Sequence, residues 1–223
     1  MTRNILVVAA HSDDEALGCG GTISRHVLAG DRVEVLFLTD GVGARGSENG
    51  KATTRHLAAA AALDILGVHR TGNLDLPDNR LDTIPLLDIV KGVASFAESL
   101  SPDTIYTHHI GDLNVDHRIA NQAVLTAFRP DPAQSVRSIY SFEVCSSTEW
   151  AFATVGKGFT PNAYVDISNT WERKERALSA YADEMRDFPH ARSPEALRAL
   201  AVWRGSSVGM QMAEAFVTIR HLI

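Results

Sequence analysis

Cysteine is nearly absent. Cys19 and Cys145 are the two in 223 residues, far apart in sequence. That excludes a disulfide framework and a paired-cysteine metal site, and it makes a reducing compartment the default. Surplus positive charge is missing too: 21 Lys and Arg against 27 Asp and Glu leave a net charge of -6. With a pI of about 5.8, the chain has no electrostatic footprint for nucleic acid or for an anionic membrane surface. A small molecule or a neutral polymer fits better as substrate. Long apolar runs are also lacking. The N-terminal run Ile5 to Ala10 is followed by acids at 13 to 15, too short and wrongly flanked for a signal peptide or a spanning helix, so the cytoplasm is the expected compartment. No repeat, low-complexity tract or linker interrupts the chain. What remains is an ordinary globular composition, 45% hydrophobic and 22% charged, long enough to bury a core without staples. The economical reading is one domain over 1–223, with a core of 1–145 and a C-terminal helical elaboration over 146–223.

Strand, polar loop and helix then recur along the core. Ile5 to Ala10, Arg32 to Asp40, His69 to Leu74, Asp103 to His109 and Ser138 to Val144 read as strands. Between them, Ala16 to Gly30, the stretch with Ala58, Ala61, Ala62, Ile65 and Leu66, the stretch from Leu86 to Leu100, and the one with Ala120, Ala123, Val124 and Ala127 read as helices. The alternation predicts an α/β fold, a Rossmann-like parallel sheet flanked by helices. Beyond it, Ala163 to Ile167 is a further strand, Thr170 to Asp187 a helix, and Ser193 to Arg204 a helix capped by Ser193 with Pro194 at its first position.

The stretch around which the rest is organised is ILVVAAHSDDEALGCGG, residues 5–21. A strand ends on His11, and Asp14 lies one turn further on, so both side chains reach one point above the sheet edge. Imidazole and carboxylate together suit Zn²⁺ or Fe²⁺, which leaves Asp13 as a base. A helix N-cap and dipole partner is the plainer reading of such an Asp pair. A nucleotide-binding turn is excluded, because Ile23 stands where the third glycine of G-x-G-x-x-G belongs. Topology favours the ligand reading. In the doubly wound order 3-2-1-4-5, strands 1 and 4 are neighbours at the switch point where such sheets bind ligands. His117 follows strand 4, so His11, Asp14 and His117 form a three-ligand set with room for water, as in a catalytic zinc site. Arg45, Glu48, Asp78, Asn79 and Arg80 lie on loops at the same end of the sheet and are candidate sugar-hydroxyl ligands. His190 could close the site from the C-terminal elaboration, while His26, His56, His69 and His221 read as structural or surface residues.

These motifs resemble the LmbE-like (PIG-L type) zinc-dependent N-deacetylases. Their A-H-P-D-D-E motif is matched by Ala10-His11-Ser12-Asp13-Asp14-Glu15, followed by Leu17-Gly-Cys-Gly-Gly21, and their terminal D-H by Asp116-His117. The resemblance covers roughly residues 1–145. It implies His11, Asp14 and His117 as ligands of one Zn²⁺ or another divalent metal, Asp13 as general base, and Asp116 within the catalytic motif. Ser12 replaces the usual proline, a change expected to alter loop stiffness only. Asn114 stands where many members carry a histidine that donates a proton or stabilises the oxyanion. An amide cannot donate a full proton, though it can hydrogen-bond an oxyanion. That task is therefore expected to fall to Asn114 or His109, with Asp13 carrying the proton.

The expected function is metal-dependent removal of an N-acetyl group from an amino sugar or its conjugate, a small-molecule partner, with no nucleic acid or membrane and with a homo-oligomer left open. Two rivals use the same residues: a non-haem iron oxygenase, which would have no need of Asp13, and a non-catalytic carbohydrate-binding relative that kept the metal and lost the acid.

Overall fold

The computed structural model describes residues 2–41, 49–151 and 158–223. Seven strands form one sheet: β1 (Asn4–Ala9), β2 (Arg32–Thr39), β3 (Arg70–Leu76), β4 (Thr104–His108), β5 (Ser138–Phe142), β6 (Ala163–Asp166) and β7 (Ala213–His221), in the order β3-β2-β1-β4-β5-β7-β6. β1 to β5 are parallel, in the anticipated 3-2-1-4-5 order. β7 runs antiparallel to both β5 and β6, which makes the whole sheet mixed. The C-terminal elaboration thus contributes two strands as well as helices.

β1 lies in the middle and is covered on both faces, which is why its sequence is a continuous apolar run and not an alternation. Ile5, Val7 and Ala9 face one core, together with helices α1 (Asp14–Leu28), α2 (Asn49–Leu66), α5 (Trp171–Ala180) and α6 (Pro194–Ser206). Leu6, Val8 and Ala10 face the other, together with α3 (Leu86–Ala97) and α4 (Val115–Ala127). Close approach of α1 to the sheet requires glycine at two positions: a Cβ on Gly18 would overlap the Phe142 ring, and one on Gly21 would lie 2.7 Å from Ile167.

Two helices differ from expectation. In α2 the buried stripe is Ala59, Ala62, Leu63 and Leu66, while Ala61 is exposed. Five consecutive alanines, 58–62, fit any register, so periodicity alone could not choose the face. The helix expected to reach Asp187 ends at Ala180, where Tyr181 leaves helical geometry at φ -90°, ψ 42°. Tyr181 and Met185 still pack on the same core, so the apolar periodicity outlasts the helix. Among the described residues no helix is long and apolar enough to cross a membrane.

Candidate active site

The carboxyl ends of β1 and β4 place His11 and His108 side by side, and the start of α4 adds His117. The imidazoles of His11 and His117 each have their orientation fixed by the partner of the second nitrogen. The Nδ1 of His117 lies 3.1 Å from Asp112 Oδ1, so that nitrogen donates and Nε2 offers its lone pair. His11 Nε2 lies 3.2 Å from Asp116 Oδ2 and 3.2 Å from Asp78 Oδ1, which leaves Nδ1 as the free base. The two lone-pair nitrogens, His117 Nε2 and His11 Nδ1, face each other at 3.3 Å. Asp14 Oδ2 lies 3.1 Å from the second and 3.3 Å from the first. Donors about 2 Å from a common tetrahedral centre stand roughly 3.3 Å apart, so the spacing is that of a ligand set. The other Asp14 oxygen is buried without a hydrogen-bond partner.

The electrostatics point the same way. Burial opposes charge on His117, but Asp14 and Asp112 outweigh it and push the imidazole up to about 9. Burial likewise opposes charge on His11, and hydrogen bonds to Asp116, Asp14 and Asp78 raise it well above its ordinary value. Asp14, despite burial, is held well below the usual carboxylate range by the surrounding His117, His108 and His11 imidazoles. The cluster therefore draws a cation. His108 is kept neutral, since burial, and then His117, push it down to about 3. Its Nε2 accepts from Ala10 N–H at 2.8 Å, and its ring stacks on His117 at 3.9 Å.

A surrounding layer holds the set in place. Asp112 accepts from Thr148 Oγ1 at 2.6 Å, from Asn114 N at 2.8 Å and from Ser147 Oγ. Asp116 accepts from Asn79 N at 2.7 Å and Leu81 N at 3.0 Å, tying the turn after β3 to the back of His11. Asn114 is the N-cap of α4: its Oδ1 accepts from Asp116 N at 2.8 Å, and its Nδ2 donates to Asn79 Oδ1 at 3.2 Å. An Asn two residues before the helix's first buried polar pair is a capping signature, legible in the sequence but read there as an oxyanion donor.

A cavity of about 110 Å³ opens over this cluster. His11, Asp13, His117, Asp78, Asn79 and Asn114 line it, as expected, and Arg55, Ser146, Ser147, Glu184 and Arg192 complete it. Arg80 is exposed and His109 buried, neither on its wall, and His190 packs edge-on against Trp150. Arg45 and Glu48 lie outside the described residues. The segment holding His190 does reach the site, through Arg192. The Nη1 of Arg192 donates to Asp13 Oδ2 at 2.7 Å, and its Nε to Ser146 Oγ at 2.7 Å. Arg55 binds Glu184 at 2.9 Å, the Ser12 hydroxyl at 3.0 Å and the Ser12 carbonyl at 2.9 Å, with Asp13 at 3.4 Å. Ser12 thus does more than relax the loop. Burial raises Asp13 above the usual carboxylate range, and Arg192 pulls it back. Neither arginine carries a motif, and nothing in the sequence spacing singles them out.

A sheet whose five parallel strands carry this His and Asp cluster at their switch point defines an α/β fold with a candidate metal site, and comparison with known proteins narrows it. Residues 6–128 match the family model GlcNAc-PI de-N-acetylase, PIG-L, and the chain belongs to that deacetylase family. It is 26% identical to the diacetylchitobiose deacetylase of Thermococcus kodakarensis, over 95% of this chain and 81% of that one. Among solved structures, the conserved protein TT1542 of Thermus thermophilus superposes at a TM-score of 0.79, 28% identical over 100% of this chain and 97% of that chain. The same fold occurs in GalB, the 4-carboxy-2-hydroxymuconate hydratase of Pseudomonas putida, with a TM-score of 0.78 at 23% identity, over 100% of this chain and 98% of that chain.

Proposed function

We propose that the chain hydrolyses the N-acetyl group of an N-acetylated amino sugar or its conjugate, using one divalent metal, zinc by expectation, held by His11, Asp14 and His117. The observation that carries the reading is the pair of inward-facing imidazole nitrogens 3.3 Å apart, closed by Asp14 and by its unpartnered second oxygen. Two nitrogens and a carboxylate suit zinc. Bound there, the ion would polarise the acetyl carbonyl and lower the pKa of water. The remaining work belongs to the chain.

Asp13, on the cavity wall beside the ligands, takes the proton of the attacking water. The same carboxyl then returns it to the departing amine. The Asn114 amide has no acidic proton to give up, and His109 does not line the cavity, so one shuttling carboxylate accounts for both transfers. Asp78 and Asn79 line the cavity and are the groups we assign to sugar hydroxyls. Among the described residues, the cationic groups lining the cavity each face a carboxylate, Arg55 with Glu184 and Arg192 with Asp13, which favours a neutral sugar over a polycarboxylate of the muconate type.

The test is acetate release from a panel of N-acetylglucosamine conjugates with zinc present and oxygen excluded. Turnover under those conditions is expected, and it separates hydrolysis from both an oxygenase and a binding-only relative. Metal content should be about one ion per chain and should be largely lost in His117→Ala. Full occupancy in that variant would overturn the ligand assignment.

A further inference from the structure

We propose that Arg192 is a catalytic residue, the cation that stabilises the tetrahedral oxyanion in place of the histidine absent at position 114; this rests on Asp13 acting as the base. Its first support is position. A base within reach of the attacking water is also close to the carbonyl oxygen, because both oxygens become bonded to one carbon. Arg192 Nη1 is hydrogen-bonded to that base at 2.7 Å, on the wall of the same cavity as His11 and His117. The second support is spare donor capacity. Arg55 has every nitrogen engaged by Ser12, Asp13 or Glu184. Arg192 uses Nε on Ser146 and Nη1 on Asp13, and no hydrogen bond engages its Nη2 among the described residues. The Nε bond to Ser146 and the Nη1 bond to Asp13 fix the planar fork on the cavity wall.

The third support is charge. Before reaction the negative charge nearest Arg192 is the Asp13 carboxylate at 2.7 Å, with Glu184 further off at 3.7 Å. As water attacks, its oxygen bonds to the acetyl carbon, its proton passes to Asp13, and the carbonyl π pair moves onto the carbonyl oxygen. The negative charge thereby leaves Asp13 and reappears on the oxyanion. A guanidinium already desolvated beside both sites serves the second as it releases the first, so its interaction with the reacting oxygen strengthens only in the transition state. When the carbonyl re-forms, the C–N pair goes to nitrogen, Asp13 gives its proton to the amine, and the original ion pair is restored.

The experiment compares wild type with Arg192→Met and Arg192→Lys, using diacetylchitobiose as substrate and its methylphosphonamide analogue as a tetrahedral anionic probe. Metal content is measured in parallel. For Arg192→Met, metal occupancy and KM should stay close to wild type, while kcat and affinity for the phosphonamide both fall by about 10²–10³. Arg192→Lys should recover part of both losses. It also carries the test if the Met variant does not fold, with kcat and analogue affinity expected to fall together by about 10-fold. Unchanged kcat, or equal loss of affinity for substrate and analogue, would refute the assignment. Acetate release by wild type from any member of the N-acetylglucosamine panel separates this failure from failure of the functional reading, since a wild type that turns over none of them would overturn both.

Discussion

Asp13 occupies the N-cap position of α1, yet its side chain caps nothing, and its backbone sits at φ 125°, ψ -28°. A non-glycine residue in that region carries a strain of order 1–3 kcal/mol. The strained backbone accompanies a carboxylate directed into the cavity, toward Arg192, and away from the helix amides. Substituting Asn keeps shape and backbone. Asp13→Asn should therefore retain its metal while losing at least about 10² in kcat, the scale of general-base removal; metal analysis beside a rate measurement decides it. His26 makes a contrasting case, buried away from the site with Nδ1 2.7 Å from Asp31 and Nε2 3.0 Å from the Tyr106 hydroxyl. Burial lowers its pKa below 6.5 against the pull of Asp31, so the unfolded chain binds the proton more readily. Stability from this group is complete above that value and is lost as pH falls below it. Urea midpoints should drop between about pH 7 and about pH 5, and His26→Gln should flatten the drop. The proximity of His11, Asp14 and His117, the proposed ligands, was legible in the sequence because they sit in fixed local motifs. Arg55, Glu184 and Arg192 were not, because their places come from packing of distant segments onto the sheet edge.

At the level of elements, α1 is broken at Cys19, which has φ -148° and ψ 23°. The break leaves two backbone groups that would have bonded each other, Leu17 C=O and Gly21 N–H, in search of partners. Lys174 Nζ donates to the first at 2.8 Å, Glu214 Oε1 accepts from the second at 2.9 Å, and the two side chains pair at 2.6 Å. A buried ion pair from α5 and β7 is thus spliced into a helix hydrogen bond. Removing one member leaves the other charge buried, so Lys174→Met should cost about 3–5 kcal/mol in chemical denaturation. A double apolar replacement should not recover the loss, because Leu17 C=O and Gly21 N–H stay unpaired. Ser193, whose hydroxyl accepts from Ala196 N at 3.1 Å, is an ordinary cap, and Ser193→Ala should cost about 1 kcal/mol. Its role was readable from Ser-Pro before an apolar run. The Cys19 break was not: a run of glycines signals close packing, but which hydrogen bond opens depends on where Lys174 and Glu214 arrive.

For the whole molecule, the order of β1 to β5 followed from repeated strand-loop-helix units, since each short crossover leaves few parallel arrangements. β7 obeys no such local rule. It turns back to pair antiparallel with β5 and β6, a long-range placement that its own nine residues, Ala213–His221, do not encode. Metal linkage should also be a property of the entire fold: chelation should lower the melting temperature, added zinc should restore it with the logarithm of its concentration, and His117→Ala should show neither effect. The position of β7 has a further consequence for synthesis. On the ribosome β5 and β6 emerge well before the strand that separates them, with residues 167–212 still to be made. At about 5–20 residues per second that interval is roughly 2–10 s. During it the outer edge of β5 is open, Glu184 and Arg192 have yet to reach the cavity, and a neighbouring nascent chain could offer its own strand to the gap.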